Sequence, residues 1–241
     1  MTTRPAQTSP QVYARIGGIL YLIIIIAGAL GEIFIRGKLI ASGNAISTAN
    51  NIMVSQSLWR IGIAGDLLMH VCDVPLMLVF YVLLRPVNKN LALLAVLFNL
   101  IQTAVLVANK LNLLMPLFLL GNADYLKAFE SNQLYALTYL FIKAHDYGFG
   151  IGLIFFGFAC LIYGYLLFRS GYFPRTLGVL MAIAGLSYLT NSFTLILAPA
   201  YAGTIFPILV LALIGELSLC LWLIVKGVDL PKWEKRVLES A

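Results

Sequence analysis

Of the 241 residues, 61% are hydrophobic and only 11% charged, and the mean hydropathy of +0.94 excludes a water-soluble globular domain and points to a polytopic membrane protein. The net charge of +6 comes from basic residues scattered singly at the ends of apolar segments; without a basic stripe to follow a phosphate backbone, nucleic acid is excluded as a partner. Cys72, Cys160 and Cys220 lie inside apolar segments with no CxxC or Cys/His spacing, so they read as small buried hydrophobes rather than a disulfide framework.

Crossing the hydrocarbon takes about 20 apolar residues at roughly 1.5 Å of rise each. Six segments qualify: 14–36, 58–84, 90–120, 134–168, 175–198 and 203–226. The predicted fold is all-α, a polytopic membrane bundle of six transmembrane helices over residues 14–226, between an N-terminal tail (1–13) and a C-terminal tail (227–241). The first apolar run, Ile16 to Ile35, is longer than a signal-peptide core and reads as a retained membrane helix. In the loop 45–57, Ile46, Ala49, Ile52 and Met53 recur at helical spacing, which suits a short surface helix. Residues 122–133 have a similar character, and for both loops a plain amphipathic linker is the preferred reading. The third and fourth segments exceed what a span requires and should tilt, kink or project, with Pro75, Pro116 and Pro207 as candidate kink sites. The tail ending WEKRVLESA reads as a short interfacial or frayed helix.

Cytoplasmic loops retain Lys and Arg. Six spans put Arg4, Arg15, Arg85, Lys89, Arg169, Arg175, Lys226, Lys232, Lys235 and Arg236 on one side, and Arg36, Lys38, Arg60 and Lys127 on the other. Ten against four predicts that both termini are cytoplasmic, with the loop segments 45–57 and 122–133 outside.

Glu32, Asp66, Asp73, Asp146, Glu216, His70, His145, Lys110 and Lys143 lie inside or at the edge of these spans. An ionisable group in hydrocarbon costs roughly 2.5–3.5 kcal/mol on insertion scales, so each requires a partner, a proton, water or a function. Counted from the basic anchors, Glu216, Asp73, Gln102 and His70 fall near mid-membrane. Asn191, Glu32, Asp66, Asn109, Lys110 and Asn112 lie toward the outer boundary, with His145 and Asp146 at or beyond it. Asp66, His70 and Asp73, at i, i+4 and i+7, share one helix face. Gln102, Asn109 and Asn112 are compatible with another, which Asn99 extends inward; Lys110, roughly 100° from Asn109, is free to snorkel outward. After Lys143-Ala144-His145-Asp146-Tyr147-Gly148 come Gly150, Gly152 and Gly157, a packing face as well as a possible site. Tyr13, Tyr21, Trp59, Tyr172, Tyr201 and Trp222 fit aromatic belts.

The gradient describes a polar vestibule open to the outside. The candidate ligand-binding residues are Asp66, His70, Asp73, Gln102, Asn109, His145, Asp146, Asn191 and Glu216. Five carboxylates face two lysines in this region, an excess of negative charge that low dielectric does not tolerate. Protons or a bound cation should close the gap, favouring a proton, metal cation or small ligand over an anion. His and carboxylate on facing helices suit zinc, iron or manganese, but no HExxH, Glu-x-x-His or HxxxH occurs, so no metal, cofactor or catalytic residue is assigned. No GxGxxG loop or nucleophile elbow is present, and Ser187, Ser192 and Ser218 carry no activating motif. The leading expectation is a binding or transport module whose vestibule is lined by Asp66, Asp73, His145 and Glu216. Alternatives are an intramembrane metal-dependent enzyme and a structural or regulatory subunit in which these groups only bridge helices.

RIGGIL at 15–20 is echoed by RTLGVL at 175–180, and Gly65-Asp66-Leu67 by Gly215-Glu216-Leu217, with chance as the preferred explanation. Taken together, ARIGGILYLIIII (14–26), GDLLMHVCDV (65–74), AHDYGFGIGLIFFG (144–157), FRSGYFPRTLGVL (168–180) and LIGELSLCLWLIVKGV (213–228) resemble the bacterial membrane family catalogued as domain of unknown function 4386, from about Tyr13 to Val228. The resemblance implies a multi-pass protein of the bacterial cytoplasmic (inner) membrane. It brings no reaction, so no site residue is carried over, and His70 stands where it implies an apolar residue.

Overall fold

The computed structural model describes residues 9–240; Arg4, one of the ten cations counted above, lies outside them. Six helices are long and apolar enough to cross a membrane: Pro10–Leu39, Gln56–Leu84, Lys89–Leu119, Ser131–Ser170, Arg175–Leu197 and Pro199–Val225, called the first to sixth spans below. There is no β-strand among the described residues. Local chemistry sets the boundaries. Asn88 caps the third span by accepting from Leu91 N at 3.0 Å, and Glu130 and Gln133 form a reciprocal capping box at the start of the fourth. Gly171, at φ 78°, ends the fourth in the left-handed conformation. Pro75 and Pro116 sit inside unbroken helices, whereas Pro207 falls in a 3₁₀ turn, Phe206–Ile208, and the sixth span becomes regular only from Leu209.

The chain reverses at every loop, and each span packs against its chain neighbours. The first span also packs against the sixth, so the six helices close into a ring. The closure is held where the termini emerge, here the terminal face. Gln11 donates to Lys226 O at 2.8 Å and accepts from Val228 N at 2.9 Å, while Arg15 donates to the Ile224 carbonyl. Glycines permit the tightest approaches. A Cβ at Gly18 would lie 2.6 Å from Ile224 Cγ1 and 2.8 Å from its backbone N. On the fourth span, Gly148 and Gly152 admit Asn109 and Leu106 of the third, while Gly150 and Gly157 admit Leu195 and Leu189 of the fifth, confirming the expected packing face on both sides of one helix.

Burial is inverted relative to a soluble protein. Ile19, Val71, Leu111 and Leu186 are more than half exposed, while Asp66, His70, Asn99 and Lys110 are buried. An apolar girdle around a polar interior is what lipid as the outer solvent demands.

At 40 residues the fourth span is about 60 Å long, twice the hydrocarbon thickness of roughly 30 Å. Part of the excess supports the first loop. Ala45–Val54 is a helix capped by Asn44 and packed on the fourth span, with Gly43 N donating to Tyr139 Oη at 2.7 Å. Its buried side is Thr48, Ala49 and Ile52, so this segment is a docked helix rather than a plain linker. Asp124–Ala128 forms only a 3₁₀ turn.

Two apolar clusters bracket the middle of the ring. The larger, including Leu83, Leu84, Leu166, Leu167 and Leu223, fills the terminal face. The smaller, including Ile35, Trp59, Leu113 and Ile142, lies toward the opposite, loop face. The C-terminal helix Leu230–Ser240 anchors on the larger cluster. The Tyr172 hydroxyl at 2.6 Å and Trp233 Nε1 at 3.3 Å both donate to the Leu83 carbonyl, an acceptor left open at the end of the second span. Burial pushes the Tyr172 phenol's pKa up, keeping it a neutral donor. Tyr172→Phe is expected to lower unfolding free energy by about 1 kcal/mol, with Trp233→Phe costing less; equal denaturation midpoints for Tyr172→Phe and the parent would count against this anchor.

Candidate functional site

The loop-face end of the first span is a π-helical stretch, Leu30–Arg36, a local widening frequent at functional sites. It carries Arg36 into the ring rather than to the surface. Arg36 Nη1 and Nη2 meet Asp66 Oδ2 and Oδ1 at 2.7 and 3.3 Å, and Nε meets Glu32 Oε2 at 2.8 Å. The planar fork matches the Asp66 carboxylate through both oxygens. Gly31 makes room for this pair, because a Cβ there would stand 2.6 Å from Asp66 Oδ1. Lys110 Nζ approaches the same Asp66 Oδ2 at 2.9 Å and His145 Nε2 at 3.4 Å. Asp66 and Lys110 are 1% and 3% exposed, so Lys110 does not snorkel outward and Arg36 is not a surface anchor. The attraction of a buried carboxylate outweighs the reach to water once two cations can share it.

This pairing revises the charge count. Glu32 and Asp66 are matched by Arg36 and Lys110, and Asp146 by Lys143 at 3.2 Å on a half-exposed surface. Asp73 and Glu216 remain. Asp73 accepts from the Thr103 hydroxyl and from Asn99 Nδ2 at 3.4 Å, and Glu216 accepts from the Tyr188 hydroxyl. Among the described residues neither has an ion-pair partner.

Both line a central cavity of about 190 Å³ to which all six spans contribute. Its end toward the loop face is the Glu32–Arg36–Asp66–Lys110 network, and its middle holds His70, Asp73, Asn99, Gln102 and Glu216. Tyr21, Phe80, Phe156, Tyr163 and Tyr188 supply aromatic walls. Toward the terminal face it is bounded by the larger apolar cluster, of which Tyr21, Leu76, Phe80, Tyr163 and Met181 are members. His70 Nε2, Asn99 Oδ1 and the Tyr163 hydroxyl are buried here without a hydrogen-bond partner.

Of the nine residues singled out from the sequence, Asp66, His70, Asp73, Gln102 and Glu216 converge on this cavity. The i, i+4, i+7 stripe of the second span therefore faces inward. His145, Asp146 and Asn191 line a neighbouring cleft of about 470 Å³ between the fourth, fifth and sixth spans, with Glu32 of the first at its edge. His145 is thus not a wall of the central cavity, although Lys110 links the two. Asn109 lines neither; it donates to the His145 carbonyl at 2.9 Å and accepts from Asn112 at 2.9 Å, bridging helices. Among the described residues no three His, Cys, Asp or Glu side chains are grouped to hold a metal ion.

Arg36, Thr103, Tyr21, Tyr163 and Tyr188 were not recognised from the sequence as site residues. Tyr21, expected in an aromatic belt, is 3% exposed and faces the cavity, while Trp59 is buried and donates to Leu113 O at 2.8 Å. Tyr201, by contrast, is exposed. The available signal for Arg36 was its i+4 spacing from Glu32; for Thr103 it was adjacency to Gln102.

The profile described as Domain of unknown function (DUF4386) matches residues 16–227, which takes in most of the first span, all of the other five and both layers of polar groups. An uncharacterized protein of Archaeoglobus fulgidus is 28% identical over 165 residues, 68% of this chain and 83% of that protein. No solved structure matches the chain. With the match running from within the first span to just past the end of the sixth, this six-helix membrane protein belongs to the DUF4386 family.

Proposed function

We propose that this protein is a binding or transport module of the bacterial cytoplasmic membrane, with residues 14–226 as one unit, both termini inside, and a polar vestibule opening outward to receive a proton, cation or small ligand. The observation that carries the reading is the central cavity shared by all six spans, with two mid-membrane carboxylates that no Lys or Arg neutralises among the described residues. Its terminal side is packed with apolar residues. Its loop side is polar and reaches Glu32, whose side chain is 60% exposed. The excess of Lys and Arg near the terminal face supports the orientation.

Thiol accessibility tests both depth and direction. Gln102→Cys reports on the cavity, while Val54→Cys and Leu238→Cys, at positions 88% and 80% exposed, mark the loop face and the terminal helix. The three native cysteines are buried and set the background. A membrane-impermeant thiol reagent added to intact cells is expected to label Gln102→Cys and Val54→Cys, and Leu238→Cys only after permeabilisation. A Gln102→Cys thiol that labels only with Leu238→Cys, or from neither side, would refute the outward vestibule.

A further inference from the structure

We infer that the central cavity binds a small organic ammonium ion, its nitrogen held between the Asp73 and Glu216 carboxylates and its carbon skeleton against the aromatic walls. The inference rests on the vestibule reading above and adds the chemical class of the ligand.

The polar groups are arranged for a donor. Thr103, Asn99 Nδ2 and Tyr188 already donate to the two carboxylates, so these three donors are committed and not free for an anion. Acceptors, by contrast, remain open. Asn99 Oδ1, 2% exposed at the residue, has no partner, and neither have His70 Nε2 and the Tyr163 oxygen, in residues 3% and 1% exposed. An ammonium group brings three N–H donors and no acceptor. It would supply both the hydrogen bonds these atoms lack and the positive charge that two carboxylates require in low dielectric.

The cations on the cavity wall do not oppose this. Arg36 and Lys110 lie at its loop-face end and are matched by Glu32 and Asp66.

Aromatic faces distinguish an organic cation from a hydrated inorganic one. Phe80 and Tyr163 have ring centroids 4.9 Å apart, and Phe156 and Tyr188 5.3 Å; all four line the cavity. Such walls attract an alkylammonium through their quadrupoles while burying its carbons. The volume bounds the size. About 190 Å³ modestly exceeds the roughly 150 Å³ cavity that admits benzene, so one ring, or a short chain, with one amine fits.

The purified full-length protein should be titrated by calorimetry with 2-phenylethylammonium, its neutral isostere 2-phenylethanol, the anion phenylacetate, and sodium and potassium chloride. The ammonium probe is expected to bind at least tenfold more tightly than 2-phenylethanol, with no binding of phenylacetate. Asp73→Asn and Glu216→Gln, which preserve shape, should each weaken it tenfold or more while leaving 2-phenylethanol unchanged. The comparison of probes on the parent protein stands even if a variant fails to fold. Equal binding of alcohol and ammonium would overturn the inference, as would sodium or potassium competing at millimolar concentration. Absence of ammonium binding while Gln102→Cys labels from outside would refute the ligand class alone. Absence of both would refute the vestibule as well.

Discussion

Replacing Asp66 with alanine is expected to destabilise the protein by about 3–5 kcal/mol, the usual consequence of removing one partner from a buried ion pair. The magnitude follows from position. Asp66 is the one carboxylate shared by Arg36 and Lys110, and all three residues are less than a tenth exposed. Without it, Lys110 keeps only the His145 ring nitrogen as a polar neighbour. The loss is a large fraction of a typical folding free energy of about 5–15 kcal/mol, so folded yield should fall as well as the denaturation midpoint. Lys110→Met should cost much less, because Arg36 still pairs with Asp66 through both of its oxygens. In the double variant Asp66→Ala/Lys110→Met, only Arg36 loses its second carboxylate and it retains Glu32, so stability should recover in part. Midpoints in detergent, arranged as a double-mutant cycle, read the coupling directly; additive effects of the two substitutions would contradict the shared-carboxylate account.

Gly178→Leu is expected to be the most disruptive apolar substitution, abolishing monodisperse folded protein on size exclusion. A Cβ at Gly178 would stand 2.6 Å from both Gly164 O and Phe168 N. These are backbone atoms that cannot move aside without parting two helices. The contact recurs two turns away, where a Cβ at Gly185 would meet Gly157 O at 2.7 Å. The fourth and fifth spans are therefore clasped backbone to backbone at two levels, in the manner of small-residue packing in membranes. Gly203→Leu serves as the control, since nothing lies within 4 Å of a Cβ there, and it should leave the elution profile unchanged. Normal elution of Gly178→Leu would mean that the helices are not clasped at this level.

The hydrophobic runs made the spans legible almost residue by residue, because a helix in lipid must satisfy its own backbone and so declares its length in apolar residues. The boundaries shifted mainly where caps act: the first span starts at Pro10 after Ser9, and the fourth at Ser131 after the Glu130 box. The Ala45–Val54 helix was visible as a pattern, but its docking depends on the projecting turns of the fourth span, a partner nearly a hundred residues away. Within the site, that Asp66, His70 and Asp73 share one face followed from helical period; that the face points inward is seen only in the packed bundle. The fate of Lys110 did not follow from period either, because period gives an angle on one helix and says nothing of what the adjacent helix presents.

By itself the sequence determined the medium, the number of spans, the all-helical class and the two layers of polar residues, since each depends on chain composition measured against a bilayer of known thickness. Tertiary structure decided how charges pair and which side chains share a space. Closing the ring brings Arg36 onto Asp66 across 30 positions and Lys110 across 44, leaving Asp73 and Glu216 as the buried carboxylates without ion-pair partners among the described residues. Electrostatic matching acts through distances of a few ångströms between helices, and those distances exist only once the six spans are packed together.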